Sequence, residues 1–292
     1  MVAIENDWLK AEIELSGAEV RKVQHKQNGL DYMWTGDNDY WGRVSPVLFP
    51  IVGRLKEDRY QLDGKTFEMS QHGFLRDVLF HVENHTETSV SLGFESAGRF
   101  LSVYPYEFKA IIYYILKKDS LIVQWEIVNQ NKEKMYFSIG AHPAFRLPLL
   151  ESEAIEDYQL NVTPAANKNV MEYELKDSLI YEKGIAHDLA TIRLKDSLFE
   201  HDAIIYSHID QISLVSNKSS HGVEVIFENF PFVGIWSKYN DKKGTMAPFV
   251  CIEPWYGIAD TYNTTGNLKE KFGMNLIEAG KTFKAEYQMR FK

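Results

Sequence analysis

Four short segments of the chain place an ionisable side chain next to glycine or proline, near the end of an apolar, strand-like run. They are "FPIVGRLKEDRY", "MSQHGFLRD", "IGAHPAF" and "FVCIEPWYGIADTYN", which carry Arg54, His72, His142 and Glu253. A buried charge is costly unless it is paired, and strand ends are where a β-structure opens onto a ligand. A carboxylate and an imidazole held together can act as general base and general acid. Taken singly, each residue fits a hydrogen-bonded polar group at a sheet rim; taken together, they suggest a site.

Other kinds of site find little support in the sequence. No glycine-rich loop follows a strand and opens a helix, so neither nucleotide-binding signature is present. The nine histidines are scattered singly and there is no CxxC pair, so the sequence predicts no metal centre. Cys251 lies in the apolar run "APFVCIEPW", which favours a small buried residue over a nucleophile.

Composition and charge narrow the class of protein. With 45% hydrophobic and 13% aromatic residues, the 292-residue chain can bury a large core. Its 41 acidic and 32 basic residues give a net charge of −9, which disfavours nucleic acid or an anionic membrane as a partner. The N-terminal residues lack the pattern of a signal peptide, no apolar run is long enough to span a membrane, and a single cysteine allows no internal disulfide. We expect a cytoplasmic protein, either a monomer or a homodimer.

Alternating apolar and polar residues predict strands along most of the chain. In "KTFKAEYQMRF" the odd-numbered residues of 283–291 are apolar and the even-numbered residues polar, which is the period of a half-buried strand. "FKAIIYYILKKDSLIVQWEIVNQ" predicts two such strands joined through residues 118–120. "YQLDGKTFEM" predicts a tight hairpin at residues 63–64, because Asp-Gly tolerates positive φ angles, and "WLKAEIELSGAEVRKVQ" predicts another pair around residues 16–17.

The sequence predicts few helices. The segments near 194–200 and 267–272 are the best candidates, and both are short. There is no linker rich in Pro, Gly or Ser and no short-period repeat. The sequence therefore predicts an all-β protein with one domain over residues 1–292, built as a single large antiparallel β-sandwich of well over a dozen strands.

Five motifs run in order along the chain from about residue 45 to about residue 260. They are "SPVLFPIVGRL", "QHGFLRD", "IGAHPAF", "FENFPFVGIWS" and "CIEPWYGIAD". Together they resemble the aldose 1-epimerase (mutarotase) family, and most closely its LacX-like branch. The resemblance implies a single antiparallel β-sandwich, in agreement with the strand pattern, and an enzyme that interconverts the α and β anomers of a hexose without any cofactor. General mutarotases have "NHxYF" and a double glycine where this chain has "AHPAF" and "HGF", so the resemblance does not fix which sugar is used.

The resemblance also implies a role for five residues. Glu253 matches the general base, which takes the proton of the C1 hydroxyl, and His142 matches the acid that protonates the ring oxygen. His72 matches a histidine that hydrogen-bonds the sugar, and Arg54 an arginine that donates to its hydroxyls. Asp202, in "HDAIIY", is the best match to an aspartate that holds hydroxyls remote from C1.

Three alternative functions remain open. A hexose 6-phosphate 1-epimerase is conceivable because Lys56, Arg59 and Arg76 lie near the motifs. A carbohydrate-binding protein on the same fold would need neither a base nor an acid, so the presence of both Glu253 and His142 favours an enzyme. A glycoside hydrolase needs two carboxyl groups beside the scissile bond, and only Glu253 stands in a motif.

Two aromatic residues lie within the last two motifs. Tyr256 and Trp236 are candidates to offer a ring face to the C–H surface of the sugar. Of the two, Trp236 is expected to pack in the core instead.

Overall fold

Strands form nearly all the regular structure of the chain. The computed structural model describes residues 1–187 and 189–292. Within that part there is no α-helix, and no helix has the length and hydropathy of a membrane span. Five short 3₁₀ segments are present among those residues, and the last two lie where the sequence predicts short helices: Lys56–Asp58, Leu75–Asp77, Ile155–Asp157, Asp196–Phe199 and Leu268–Glu270.

Twenty-six strands, β1 to β26 in chain order, lie in the described residues. The first thirteen are Val2–Glu5, Leu9–Ile13, Val20–His25, Val47–Leu48, Arg59–Leu62, Lys65–Glu68, His81–His85, Ser89–Glu95, Phe108–Lys117, Ser120–Asn129, Met135–Phe137, Ile139–Ala141 and Ala144–Arg146. The other thirteen are Tyr158–Pro164, Met171–Lys176, Leu179–Ile185, Thr191–Arg193, Ile204–Ser207, Ile209–Ser216, Gly222–Ile226, Phe232–Trp236, Tyr239–Asn240, Thr245–Met246, Phe249–Tyr256, Asn275–Ile277 and Thr282–Phe291.

Two large antiparallel sheets make up the sandwich. One has nine strands in the order β17-β14-β19-β20-β26-β10-β9-β8-β7. The other runs β16-β15-β18-β21-β24-β12-β4, and β13 also pairs with β24. Side chains of both sheets share one hydrophobic core, for example Trp125 and Tyr287 of the first and Val233 and Ile252 of the second. The structure confirms the predicted all-β antiparallel sandwich.

The hairpins predicted from turn residues are present. Strands β9 and β10 pair from Phe108 opposite Asn129 to the turn at residues 118–119. Strands β5 and β6 turn through Asp63 and Gly64, whose φ angles of 49° and 76° are the positive values that the turn requires. Strands β2 and β3 likewise pair on either side of the Ser-Gly turn.

Strand β24 positions the candidate site because its two faces have different surroundings. Val250 and Ile252 pack in the core between the sheets, whereas Cys251 and Trp255 belong to apolar clusters on the outer face. Since side chains alternate along a strand, Glu253 shares the outer face. This strand lies in the middle of the run β18-β21-β24-β12-β4, so the outer face of those five strands forms the floor of the site.

Two glycines make room for Trp255 on that floor. A Cβ atom on Gly140 of β12 would lie 2.6 Å from Trp255 Cδ1, and one on Gly234 of β21 would lie 2.3 Å from Trp255 Cη2. Both distances are far inside van der Waals contact, so only glycine allows the indole to lie across the neighbouring strands. The glycines of "IGAHPAF" and "FVGIWS" therefore shape the floor next to Glu253.

Candidate active site

A pocket of about 600 Å³ lies over the outer face of the second sheet. That volume is within the range of roughly 300–1,000 Å³ typical of small-molecule sites. All five residues predicted for the site from the sequence contribute to its wall: Arg54, His72, His142, Asp202 and Glu253.

A carboxylate and an imidazole are in direct contact at the bottom of this pocket. Nε2 of His142 lies 3.2 Å from Oε2 of Glu253, and the two residues are 7% and 2% exposed. His142 occupies the two-residue connection between β12 and β13. Its neighbour Pro143 accepts a hydrogen bond from the N–H of Ile252 at 3.2 Å, which holds the connection against β24. One bound ligand can therefore meet both groups at once.

Burial favours the neutral form of both members of this pair. Desolvation raises the pKa of Glu253 well above its ordinary 4.5, and the nearby charge of Asp202 raises it further. Desolvation lowers the pKa of His142 from 6.5 to about 3, and Arg76 also lowers it. The two groups therefore hold one proton between them over a wide pH range. The carboxylate and imidazolium forms needed for acid–base chemistry differ from the neutral pair only by transfer of that proton.

Aromatic rings hold the imidazole of His142 in place. The indole of Trp41 stacks on it with ring centroids 4.7 Å apart at 29°, while Trp236 and His72 meet it edge-on at 5.7 and 5.8 Å. The Trp41 carbonyl accepts a hydrogen bond from Nε1 of Trp34 at 2.9 Å. This packing fixes the plane of the imidazole, and the Trp41 face stabilises an imidazolium when one forms. Trp41 lies outside the sequence motifs, and nothing in its local sequence marks it.

His72 presents a hydrogen-bond donor to the pocket. The N–H of Gly53 donates to Nδ1 of His72 at 3.1 Å, and the His72 N–H donates back to the Gly53 carbonyl at 2.9 Å. Because Nδ1 accepts, the neutral ring carries its proton on Nε2. Desolvation lowers the pKa of His72 well below 6.5, and the nearby His142, Arg76 and Arg43 lower it further. This residue is therefore a neutral N–H donor.

Arg54 and Asp202 lie at the exposed part of the pocket wall. Nε of Arg54 donates to Oδ1 of Asp58 at 2.8 Å, and the Arg54 side chain is 44% exposed. Asp202 has a φ of 76° and accepts a hydrogen bond from the N–H of Ala203 at 2.7 Å. Both side chains have further polar atoms at the pocket wall, and the Asp202 charge acts on Glu253.

Of the three basic residues considered for phosphate binding, one reaches the pocket. Arg76 lines it and is half-buried, with a hydrogen bond to the Gln71 carbonyl at 2.7 Å. Lys56 donates instead to the Tyr262 carbonyl, and Arg59 is paired with Glu57. A further cation on the wall, which the sequence interpretation missed, is Lys238.

One of the two aromatic residues considered from the sequence lines the pocket, and the other does not. Trp236 lines the pocket, whereas Tyr256 packs in the core against Phe230 and Phe283 at 4.6 and 5.1 Å between ring centroids. The reason is strand alternation, because Tyr256 is three residues from Glu253 and so faces the other side of β24. The candidate role of Tyr256 was therefore wrong, although the alternation was visible in the sequence. Trp236 lines the pocket and also packs against the buried cluster that contains Phe249 and Cys251.

Cys251 is fully buried, as its apolar run predicts, but it is close to the pair. Its sulfur, an imidazole nitrogen of His142 and a carboxylate oxygen of Glu253 all lie within 4.8 Å of one another. Desolvation, followed by the charge of Glu253, raises the pKa of the thiol well above 9. The sequence interpretation missed this group because its proximity to His142 arises only when β13 pairs with β24, with Ala144 opposite Cys251. The spacing Cys-x-Glu on a strand was the one local signal.

A large antiparallel sandwich with a buried carboxylate–imidazole pair in a pocket of about 600 Å³ fits a sugar epimerase. The sequence model of the family described as Aldose 1-epimerase matches residues 1–286. The chain therefore belongs to the aldose 1-epimerase family, which supports a sugar epimerase, an enzyme of the isomerase class.

The chain is also similar to individual proteins of known sequence or structure. Two LacX proteins of Lactococcus lactis subsp. lactis, one chromosomal and one from a plasmid, are each 31% identical over 99% of this chain and 98% of their own. The crystal structure of a galactose mutarotase related enzyme from Lactobacillus acidophilus is 37% identical, with a TM-score of 0.94 over 100% of this chain and 97% of that chain. A galactose mutarotase-like protein from Lactobacillus casei ATCC 334 is 29% identical, with a TM-score of 0.91 over 100% of both chains. The similarity to LacX confirms the branch that the motifs resemble.

Proposed function

We propose that this protein is an aldose 1-epimerase that interconverts the α and β anomers of a free hexose, with Glu253 as general base and His142 as general acid. The observation that carries the proposal is the 3.2 Å contact between Nε2 of His142 and Oε2 of Glu253 in a pocket of about 600 Å³. The two oxygens that must exchange protons, the C1 hydroxyl and the ring oxygen, are bonded to the same carbon. Two adjacent protein groups can therefore serve both.

The reaction needs only proton transfer and bond rotation. Glu253 takes the proton of the C1 hydroxyl while His142 gives a proton to the ring oxygen, and the C1–ring oxygen bond breaks to leave an aldehyde. Rotation about C1–C2 then presents the other face of the aldehyde. As the ring closes, Glu253 returns its proton to the carbonyl oxygen and His142 recovers a proton from the ring hydroxyl. The pair ends in the state in which it began, so no cofactor is consumed.

The other residues of the wall bind the sugar. His72 donates a hydrogen bond from Nε2 and Arg54 donates from its guanidinium, while the Asp202 carboxylate accepts from hydroxyls remote from C1. Trp236 and Trp255 offer apolar surface to the C–H face of the ring. Arg54 and Asp202 are exposed and of opposite charge, which suits recognition of hydroxyls that vary between hexoses.

A direct assay of anomer interconversion tests this function. Polarimetry on freshly dissolved α-galactose and α-glucose should give a rate that rises linearly with enzyme concentration above the spontaneous rate in the same buffer. If sugars bind without any acceleration, the protein is a carbohydrate-binding protein on this fold. Because Asp202 shares the pocket with Glu253, nitrophenyl glycosides should be included, and their hydrolysis would favour a glycosidase.

The pH dependence should report the shared proton. At low pH, kcat/KM should fall when the pair formed by His142 and Glu253 takes up a second proton. That proton goes to His142, and burial lowers its pKa to about 3. We therefore expect kcat/KM to stay constant from about pH 6 down to about pH 4.5 and to fall only as the pH approaches 3. Loss at the alkaline end follows the pKa of Glu253, which is raised. An acid limb centred on the ordinary glutamate value of 4.5, in protein shown to be folded by circular dichroism, would contradict a single shared proton.

A hexose 6-phosphate is the second candidate substrate, because Arg76 and Lys238 add positive charge to the same wall as Arg54. If the phosphate binds there, Arg76→Ala should lower kcat/KM for the 6-phosphate at least about tenfold more than for the free hexose, since a charge-assisted hydrogen bond contributes roughly 1.5–3 kcal/mol. The ratio of kcat/KM for the 6-phosphate to kcat/KM for the free hexose is the quantity to compare, because any effect of Arg76 on His142 changes both values equally. The matched control is Arg59→Ala, which removes an exposed arginine outside the pocket. An unchanged ratio in Arg76→Ala would leave the free sugar as the substrate.

A further inference from the structure

Two side chains on the outer face of β24 and one from the connection between β12 and β13 form a set of three possible metal ligands. The proposed reaction uses only two of them. The sulfur of Cys251, an imidazole nitrogen of His142 and a carboxylate oxygen of Glu253 lie within 4.8 Å of one another, and all three residues are buried. We infer that these residues form a binding site for Zn²⁺ or a similar thiophilic divalent cation, and that the bound cation inhibits the enzyme.

The distances suit a zinc ion after a small adjustment. Zinc bonds of about 2.3 Å to sulfur and about 2.0–2.2 Å to nitrogen and oxygen place tetrahedral ligand atoms about 3.4–3.6 Å apart. Nε2 of His142 and Oε2 of Glu253 are already 3.2 Å apart. The separations that involve the Cys251 sulfur, within 4.8 Å at present, have to shorten by about 1.2–1.4 Å at most, which a side-chain rotation provides. Cys251 and Glu253 stand two residues apart on one strand, so a rigid backbone presents both.

Charge balance also favours a thiophilic divalent cation. Thiolate and carboxylate together carry two negative charges, which neutralise the cation in a site where an unpaired charge would be costly. A thiolate and an imidazole select zinc and its relatives over Mg²⁺ and Ca²⁺, which prefer oxygen ligands. The cation binds the thiolate, imidazole and carboxylate forms of the three side chains, so binding is coupled to release of protons.

Inhibition follows from which atoms the cation occupies. His142 and Glu253 line the pocket, whereas Cys251 lies beneath them in the cluster that also contains Trp41 and Trp236. A cation bound to all three takes the nitrogen and oxygen that would exchange protons with the sugar. Inhibition rests on the proposed function, but binding of the cation does not.

Cobalt provides a probe that is independent of activity. Cys251 is the only cysteine, so a cobalt–thiolate charge-transfer absorption can come from no other residue. We expect Co²⁺ to give this band in the wild-type protein and Zn²⁺ to abolish it by displacement. Cys251→Ala should lose the band. Its affinity for zinc should fall by more than roughly 10–100-fold, which is the loss typical when a residue that only hydrogen-bonds a metal ligand is removed. Cys251→Ser serves the same purpose should the alanine variant fail to fold.

His81→Ala is the matched control for adventitious surface binding. Nε2 of His81 lies 3.6 Å from Oε1 of Glu83 at an exposed position, so its loss should leave zinc binding at the buried site unchanged. Absence of the thiolate band in folded wild-type protein, or equal zinc affinity in the wild type and Cys251→Ala, would overturn the inference. Zinc should slow mutarotation competitively with sugar, and chelation should restore it. Cobalt binding by a protein without mutarotase activity would uphold the site and reject the proposed function.

Discussion

Glu253→Gln is expected to lower kcat for anomer interconversion by about two to four orders of magnitude, the range typical of a general base. The amide cannot take a proton from the C1 hydroxyl, so ring opening loses its base. The fold should tolerate the change, because burial raises the pKa of Glu253 and favours the neutral acid, which glutamine resembles in shape and charge. The measurement is polarimetry on the best hexose substrate, together with a thermal melt of the same preparation.

Glu153→Gln is the matched control, since it changes another buried glutamate that lies away from the pocket. Glu153 is 8% exposed and accepts hydrogen bonds from the hydroxyls of Tyr158 and Ser216. Its substitution should lower the melting temperature and leave kcat close to the wild-type value. If folded Glu253→Gln instead kept a wild-type kcat, Glu253 would not be the base.

Local patterns allowed much of the sandwich to be predicted from the sequence. The turn at Asp63 and Gly64 and the alternation along residues 283–291 depend only on neighbours in sequence, and both are present in the structure. The order of strands in each sheet depends on contacts between distant segments, and periodicity does not encode it. The nine-stranded order, which sets β26 between β10 and β20, could not have been written from these patterns.

Part of the candidate site could likewise be predicted from the sequence, and part depends on contacts that only the folded chain makes. Four of the five predicted residues, Arg54, His72, His142 and Glu253, stand in the motifs, and the motifs allowed them to be grouped although they are far apart in sequence. Asp202 stands outside the motifs and reaches the pocket because it precedes β18 of the same sheet. Trp41 and Cys251 were missed because their importance arises from contact with His142, which only the folded chain creates. Tyr256 shows a different failure. Its motif drew attention to it, although its position relative to Glu253 already placed it on the core face.

These contacts give the pair a setting that the motifs do not describe. Trp41 and Trp236 cover the imidazole of His142, and Trp255 fills the floor beside Glu253. Because both groups are buried, an isolated charge on either one would be costly. Sharing one proton allows the pair to avoid such a charge. Under the proposed function, the hydroxyl dipoles of a bound sugar would favour the separated carboxylate and imidazolium forms of the pair.

His142→Asn is expected to lower kcat by a similar two to four orders of magnitude, because the amide can donate a hydrogen bond but cannot release a proton to the ring oxygen. The substitution also removes the ring on which Trp41 stacks, so the melting temperature should fall by several degrees. Michaelis kinetics on His72→Asn provide the comparison. His72 is a neutral donor held by Gly53, so its loss should raise KM more than it lowers kcat. A collapse of kcat in His72→Asn with wild-type-like turnover in His142→Asn would exchange the roles of the two histidines.

The double variant Glu253→Gln/His142→Asn then tests whether the two residues work as one unit. If they share a single proton, removing either member already disables the other, and the double variant should be about as slow as the slower single variant. Independent groups would give losses that multiply, about four to eight orders of magnitude in all, which would bring the rate down to the spontaneous background. A measurable residual rate in the double variant, close to that of Glu253→Gln, is the result that the 3.2 Å contact between Nε2 and Oε2 leads us to expect.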